Sequence, residues 1–171
     1  MGGRVVLVTG GARSGKSVWA ERRCAELGAP LTYIATAEPR DGEISDRIAA
    51  HIARRGAEWA TLEEPRNLVS ALDRTDNGGA RLVDCMTLWL TNEMLADDGD
   101  WETALEALVE TLGHQTSPVV LVTNEVGSGI VPDNALARAF QDAAGTVNQW
   151  LGALADEVVL VVAGQPLKIK G

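Results

Sequence analysis

The stretch Gly10-Gly11-Ala12-Arg13-Ser14-Gly15-Lys16-Ser17 constrains the fold of this chain more than any other. It satisfies G-x-x-x-x-G-K-[ST], a loop that binds phosphate through its backbone. The glycines let the chain curl so that successive N–H groups point at one anion, and a helix starting at Lys16 adds its positive end. Lys16 reaches the β- and γ-phosphates, and the Ser17 hydroxyl is placed to ligate Mg²⁺. Such a loop works only between a strand and a helix. The flanks comply: RVVLVT at Arg4–Thr9 reads as a buried strand, and helical patterning follows over 16–27.

Beyond the loop, short β-branched runs alternate with longer helical ones. Strands are expected at Arg4–Thr9, Leu31–Ala35, from Arg81 to Asp84, at Pro118–Thr123 and at Val158–Val162. Helices are expected near 16–27, 44–55, 65–73, 86–96, 101–113 and 133–155. Strands that are apolar throughout, without polar alternation, indicate a parallel sheet covered on both faces. The pattern predicts a three-layer α/β P-loop NTPase domain with a mainly parallel sheet, spanning 1–171 as a single nucleotide-binding unit.

Charge narrows the partners. The 171 residues carry a formal net charge of −9, which disfavours nucleic-acid backbone and anionic membrane surfaces. Residues 1–81 hold 12 basic and 11 acidic groups, whereas residues 82–171 hold 3 and 13. An anionic ligand therefore belongs to the first half, where Arg13, Lys16, Arg47, Arg54 and Arg55 lie. Cys24 and Cys85 are too few and too far apart for a disulfide framework or a zinc site, and their apolar surroundings predict buried thiols. No apolar run is long enough to span a bilayer, and the N-terminus lacks a signal-peptide pattern. A cytoplasmic protein is expected.

A P-loop protein needs a carboxylate for its metal, usually at the end of a neighbouring strand. Asp84, after Leu82-Val83, fits that role, and a helix N-cap is a compatible second role. Thr123-Asn124-Glu125 ends another strand and leads into the glycine-rich loop 126–132. Glu125 is open to contact with metal or substrate, or to stabilising its own turn. The acidic stretch Ala96–Asp100 reads as a solvated loop, and His114 as a surface residue.

Arg47, His51 and Arg55 recur every four residues and so share one helix face, beside an apolar stripe of Ile44, Ile48 and Ile52. Flanking guanidiniums lower an imidazole pKa and favour the neutral, nucleophilic form. By spacing alone, a solvated basic face is the better description of the segment.

Taken in order, these residues resemble the bifunctional adenosylcobinamide kinase/adenosylcobinamide-phosphate guanylyltransferase family of cobalamin biosynthesis. The resemblance runs nearly end to end. It covers Thr9 to Ser17, Tyr33-Ile34-Ala35-Thr36, and the string Arg47-Ile48, His51, Arg55, Trp59, Thr61, Glu63, Pro65. It continues with Asp84-Cys85, Thr87, Asn92, Val122 to Gly127, Gly129 to Pro132, Gly145, Asn148 and Lys168-Ile169-Lys170.

The resemblance implies a RecA-like sheet and a homotrimer. It further implies that ATP or GTP phosphorylates adenosylcobinamide, and that His51 then takes GMP from GTP and passes it to adenosylcobinamide phosphate. Carried over by position, nucleotide contacts fall on Gly10, Gly11, Ala12, Arg13, Ser14, Gly15, Lys16 and Ser17. They extend to Ala35, Thr36, Ala37 and Glu38, to Ile52, Ala53, Arg54 and Arg55, and to Glu63 and Asp84. Catalysis falls to His51 and Lys16, and Mg²⁺ to Ser17 and Asp84. Glu63 would accept hydrogen bonds from a guanine edge, or else pair with a nearby arginine. Two rival readings are a P-loop small-molecule kinase without guanylyl transfer and a non-catalytic nucleotide-dependent switch.

Overall fold

A computed structural model describes residues 2–38, 56–76 and 78–171. The strands are β1 (Val5–Thr9), β2 (Leu31–Ala35), β3 (Trp59–Glu63), β4 (Ala80–Asp84), β5 (Val119–Val122), β6 (Glu157–Val162) and β7 (Gln165–Lys170). The helices among the described residues are α1 (Lys16–Leu27), α2 (Leu68–Arg74), α3 (Met86–Leu95), α4 (Trp101–His114) and α5 (Ala135–Leu154). Among the described residues these strands form one seven-stranded sheet, in the order β3-β2-β4-β5-β1-β6-β7, parallel throughout except for the antiparallel β6–β7 edge.

Alternate residues of each strand point to opposite faces, so unbroken apolar strands must be covered twice. Val5 and Leu7 of β1 join the core on the side of α2 to α5, with Trp89, Leu105, Leu108 and Leu151. Val6 and Val8 join the core under α1, with Ala20, Cys24, Tyr33 and Leu82. The three-layer α/β expectation holds. Both cysteines are free and buried, as expected; burial pushes the Cys24 thiol up to about 12 and the Cys85 thiol to about 11. No helix among the described residues is long and apolar enough to cross a membrane.

The five expected strands are present, and two more join them. The edge strand β3 (WATLE) is short and only partly buried, so it carries little apolar signal. The other edge strand, β7 (QPLKIK), is exposed along its whole length and contains Pro166, which argues against a strand in sequence. A two-residue turn joins it to β6, with Ala163 and Gly164 at φ 51° and 76°, the geometry of a type I′ hairpin. The helix expected from residue 65 begins instead at Leu68, where the Asn67 side chain accepts from the Ser70 N–H. The helix expected at 44–55 lies outside the described residues. The 96–100 loop is more than a solvated turn: Asp98 pairs with Arg66 at 2.9 Å, and Asp100 caps α4 through the Thr103 N–H.

At the end of the sheet opposite the P-loop, Arg81 is fully buried. Its guanidinium donates to the carbonyl oxygens of Leu72 (3.0 Å) and Ser117 (2.6 Å) and to Gln115 Oε1 (2.8 Å), and Asp76 lies 3.4 Å away. The network stitches the end of α2 to the strands β4 and β5. Replacing Arg81 by Ala strands these buried acceptors, and a loss of about 3–5 kcal/mol in urea unfolding is expected. Partial burial pushes the Asp76 carboxyl upward, but hydrogen bonds from Thr116 and Ser117 outweigh it and hold the pKa down at about 2. A carboxyl depressed in the folded state stabilises above its unfolded value, near 4, and loses that contribution as pH falls towards 2. Asp76→Asn should lower the urea midpoint at pH 7 and flatten the fall of that midpoint between pH 4 and 2.

Candidate nucleotide-binding site

The turn from β1 into α1 is built for an anion. Gly15 is the N-cap of α1, no side chain caps the helix, and its first turn carries no acidic residue. The positive end of the helix dipole therefore faces the loop without competition. The Lys16 side chain is buried and arches back so that Nζ donates to the Gly11 carbonyl oxygen at 3.1 Å. The Ser14 hydroxyl is buried with no hydrogen-bond partner among the described residues, an orphaned donor that phosphate oxygen would satisfy. Gly10 sits at φ 156°, and a Cβ there would lie 2.5 Å from the Val161 carbonyl oxygen. The loop is thus wedged against β6. The Gly164 N–H of the hairpin turn also donates to the Ser14 carbonyl oxygen at 2.8 Å, so the edge hairpin props the loop from behind.

Strand register brings the other expected residues to the same end of the sheet. Glu63 pairs with Ala35, Ala35 with Asp84, Asp84 with Val122, and Val122 with Val8. At roughly 4.8 Å per strand, this row spans about 19 Å from Glu63 to β1, the scale of an extended nucleoside triphosphate. In parallel α/β sheets ligands bind beyond the carboxyl ends of the strands, and here these ends carry the P-loop, Asp84, Ala35 to Glu38 and Glu63 together. Asp84 follows Leu82 by two residues, and Leu82 lies in the core under α1. Its side chain is therefore on the α1 face of the sheet, the layer that also contains Ser17.

The exits of β2 and β4 are locked together. The buried Thr36 hydroxyl donates to the Cys85 carbonyl oxygen (2.8 Å) and accepts from the Cys85 N–H (2.7 Å), and the Thr36 N–H donates to the Asp84 carbonyl oxygen (3.2 Å). Asn92 of α3, also buried, donates to the carbonyl oxygens of Thr36 (2.8 Å) and Pro65 (3.0 Å). Thr36 thus holds the loop it belongs to, its side chain turned into the protein. Tyr33, 5% exposed, donates its hydroxyl to Asp84 Oδ2 at 3.0 Å.

The structure adds a contact or a position to several of these alternatives. Asp84 does not cap a helix: Cys85 is the N-cap of α3, and no side chain bonds there. Glu125 braces its own turn, accepting from the Gly127 N–H (2.6 Å) and the Ser128 hydroxyl (3.4 Å). Among the described residues an arginine pairing of the kind considered for Glu63 is made by its neighbour: Glu64 lies 3.8 Å from Arg74 and also accepts from the Asn67 N–H. Glu63 itself is exposed at the end of β3. His51, Ile52, Ala53, Arg54 and Arg55, with Arg47, lie outside the described residues. Sequence reasoning gave no role to Tyr33, Asn92 or Gly164, whose contributions depend on partners 51, 56 and 150 residues away. Tyr33 and Asn92 do fall within the family-like string, and that was the usable signal for them.

A divalent cation here would find hard oxygens, the Ser17 hydroxyl and the Asp84 carboxylate, which suit Mg²⁺. No group of three or more His, Cys, Asp or Glu side chains able to hold a metal occurs among the described residues.

Fold and site together define a nucleotide-binding protein of the P-loop NTPase class. Solved structures with a similar fold include a Pyrococcus horikoshii OT3 protein (TM-score 0.57, 9% identity, covering 98% of this chain and 86% of that one). An ATPase domain of known structure is also similar (TM-score 0.51, 10% identity, 92% and 68%). Within that class the chain belongs to the cobinamide kinase / cobinamide phosphate guanyltransferase family, whose model matches residues 6–169. Its relatives include the bifunctional adenosylcobalamin biosynthesis protein CobP of Pseudomonas aeruginosa, 48% identical over 96% of both chains. The corresponding CobU protein of Salmonella typhimurium is 44% identical over 97% of this chain and 99% of that one, and that of Escherichia coli K12 is 43% identical over the same shares.

The wedge at Gly10 gives a direct check on the P-loop. Gly10→Ala should drive the loop off the Val161 carbonyl and weaken GDP binding at least about tenfold by calorimetry, while the circular dichroism spectrum is retained.

Proposed function

We propose that this chain phosphorylates adenosylcobinamide with ATP or GTP and then transfers GMP from GTP to adenosylcobinamide phosphate. The observation that carries the reading is the register row from Glu63 to Val8, which sets a phosphate loop, a strand-end carboxylate and an acidic group at one sheet edge. A family match over nearly the whole chain supports the two activities.

In the kinase step the aminopropanol hydroxyl of adenosylcobinamide attacks the γ-phosphorus. The bond to the β,γ-bridging oxygen breaks, the nucleoside diphosphate leaves, and the hydroxyl proton passes to solvent. Lys16 and the loop N–H groups stabilise charge on the transferring phosphoryl. In the guanylyl step a His51 ring nitrogen attacks the α-phosphorus of GTP, pyrophosphate leaves, and a P–N bond forms. A phosphate oxygen of adenosylcobinamide phosphate then attacks the same phosphorus and the P–N bond breaks, giving adenosylcobinamide-GDP. Mg²⁺ held by Ser17 and Asp84 would neutralise phosphate charge in both reactions.

Glu63 accepts from guanine N1–H and the 2-amino group, a pair of donors adenine does not present together. Ala35 to Glu38 and residues 52–55 complete the nucleotide contacts. The enzyme works in the cytoplasm as a homotrimer, an assembly that gives a large corrinoid room between subunits.

GTP labelled at the α-phosphate tests the covalent step. The wild type should take up an acid-labile, base-stable label that His51→Ala loses; label retained in that variant removes His51 from the role. Because one phosphate site serves both reactions, Lys16→Ala should reduce kinase and guanylyl transfer together by at least about a hundredfold. Kinase activity at the full rate in that variant would break the single-site reading.

A further inference from the structure

We infer that Tyr33 is a positioning residue for the metal carboxylate, holding Asp84 in the orientation that receives the nucleotide-bound cation. This rests on the reading of Asp84 as a metal ligand. Tyr33 is the chain's single tyrosine. It lies on β2 opposite Leu82 of β4, two residues short of the Ala35–Asp84 pair. Tyr33 and Leu82 both belong to the core under α1, and Asp84 follows Leu82 on the same face. The phenol therefore runs along the face towards the site, and its hydroxyl donates to Asp84 Oδ2 at 3.0 Å.

The ring is held as firmly as the hydroxyl. Tyr33 is 5% exposed, and its ring meets that of Trp59 on β3 edge to face, with centroids 6.5 Å apart and planes at 81°. Trp59 thereby fixes Tyr33 from the outer strand, and Tyr33 fixes Asp84 from the next. A phenol–carboxylate hydrogen bond is charge-assisted and sets the plane of the carboxylate. A carboxylate has about four acceptor sites, so this bond is compatible with metal coordination at the same group. Partners that orient a ligating carboxylate typically contribute about 10–100-fold to metal affinity or activity. The alternative is a core tyrosine that uses the nearest acceptor to satisfy its hydroxyl. That role would leave the metal unaffected.

Tyr33→Phe keeps the ring and its contact with Trp59 and removes only the hydroxyl. Mn²⁺ binding in the presence of GDP, followed by electron paramagnetic resonance, separates the two roles. The expected result is a loss of at least about tenfold in Mn²⁺ affinity in Tyr33→Phe, with the thermal midpoint and GDP affinity without metal unchanged. In an Asp84→Asn background the same change should cost nothing more. Wild-type Mn²⁺ affinity in Tyr33→Phe, together with weakened binding in Asp84→Asn, overturns the inference and leaves the metal role of Asp84 standing. Wild-type affinity in Asp84→Asn overturns that role and the inference with it. Equal losses in both backgrounds would show that Tyr33 does not act through Asp84. A second readout needs no substitution of the tyrosine. In protein labelled with 3-fluorotyrosine the single ¹⁹F resonance should shift when Mg²⁺ is added to the GDP complex, and Asp84→Asn should abolish the shift. A resonance unmoved by Mg²⁺ in the wild type counts against the inference.

Discussion

The first turn of α1 presents backbone N–H groups to a loop with no side-chain cap and no acidic neighbour, and most of the structure serves to keep that turn in place. An anion held by backbone dipoles needs donors fixed in advance, because each degree of freedom left in the loop weakens the sum of several modest interactions. Burying β1 in the middle of the sheet, with β5 on one side and β6 on the other, meets that need. Val6 and Val8 are completely buried, and one residue after Val8 the chain reaches Gly10, where there is no room for a side chain. The hairpin turn at Ala163-Gly164 closes the space behind Ser14, so the outermost strand also contributes to the rigidity of the loop.

The two ends of the sheet handle polarity in opposite ways. At the far end, Arg81 is sealed in and its donors meet carbonyls and an amide from α2, the Gln115–Ser117 turn and nearby strands. Such a cluster is stable only when complete, which favours a single arrangement of the elements it joins. At the ligand end, Thr36 and Asn92 satisfy the backbone of the strand exits, and Ser14 keeps a buried hydroxyl without a partner among the described residues. One end spends its polar groups on the fold. The other holds some in reserve for a ligand. The net charge of −9 is compatible with this because the P-loop draws on local cations and helix dipole, not on the field of the whole surface.

Much of this was legible in the chain. The five inner strands announce themselves because burial on both faces requires unbroken apolar runs, and the P-loop because phosphate cradling tolerates few residue types. Asp84 could be picked out as the polar end of an apolar run. The edge strands could not be read in the same way: WATLE and QPLKIK bury little, so neither needs the composition that marks a strand. Glu63 and Glu64 are adjacent in sequence, and which of them meets Arg74 depends on the direction each side chain takes at the end of β3. Glu125 looked equally suited to a ligand or a turn, and its contact with the Gly127 N–H is visible only in the folded chain.

The sequence by itself determined the class of fold, the phosphate loop and the family, because these depend on local patterns: periodic burial, glycine placement and the spacing of motifs along the chain. The tertiary structure decided which side chains act on one another across the sheet. Tyr33 and Asp84 are 51 residues apart and become neighbours through the parallel pairing of β2 with β4. Thr36 meets Cys85, and Gly164 meets Ser14, for the same reason. In a parallel sheet every such contact crosses a helical connection, so its partners are distant in sequence, and only the folded register brings them within hydrogen-bonding distance.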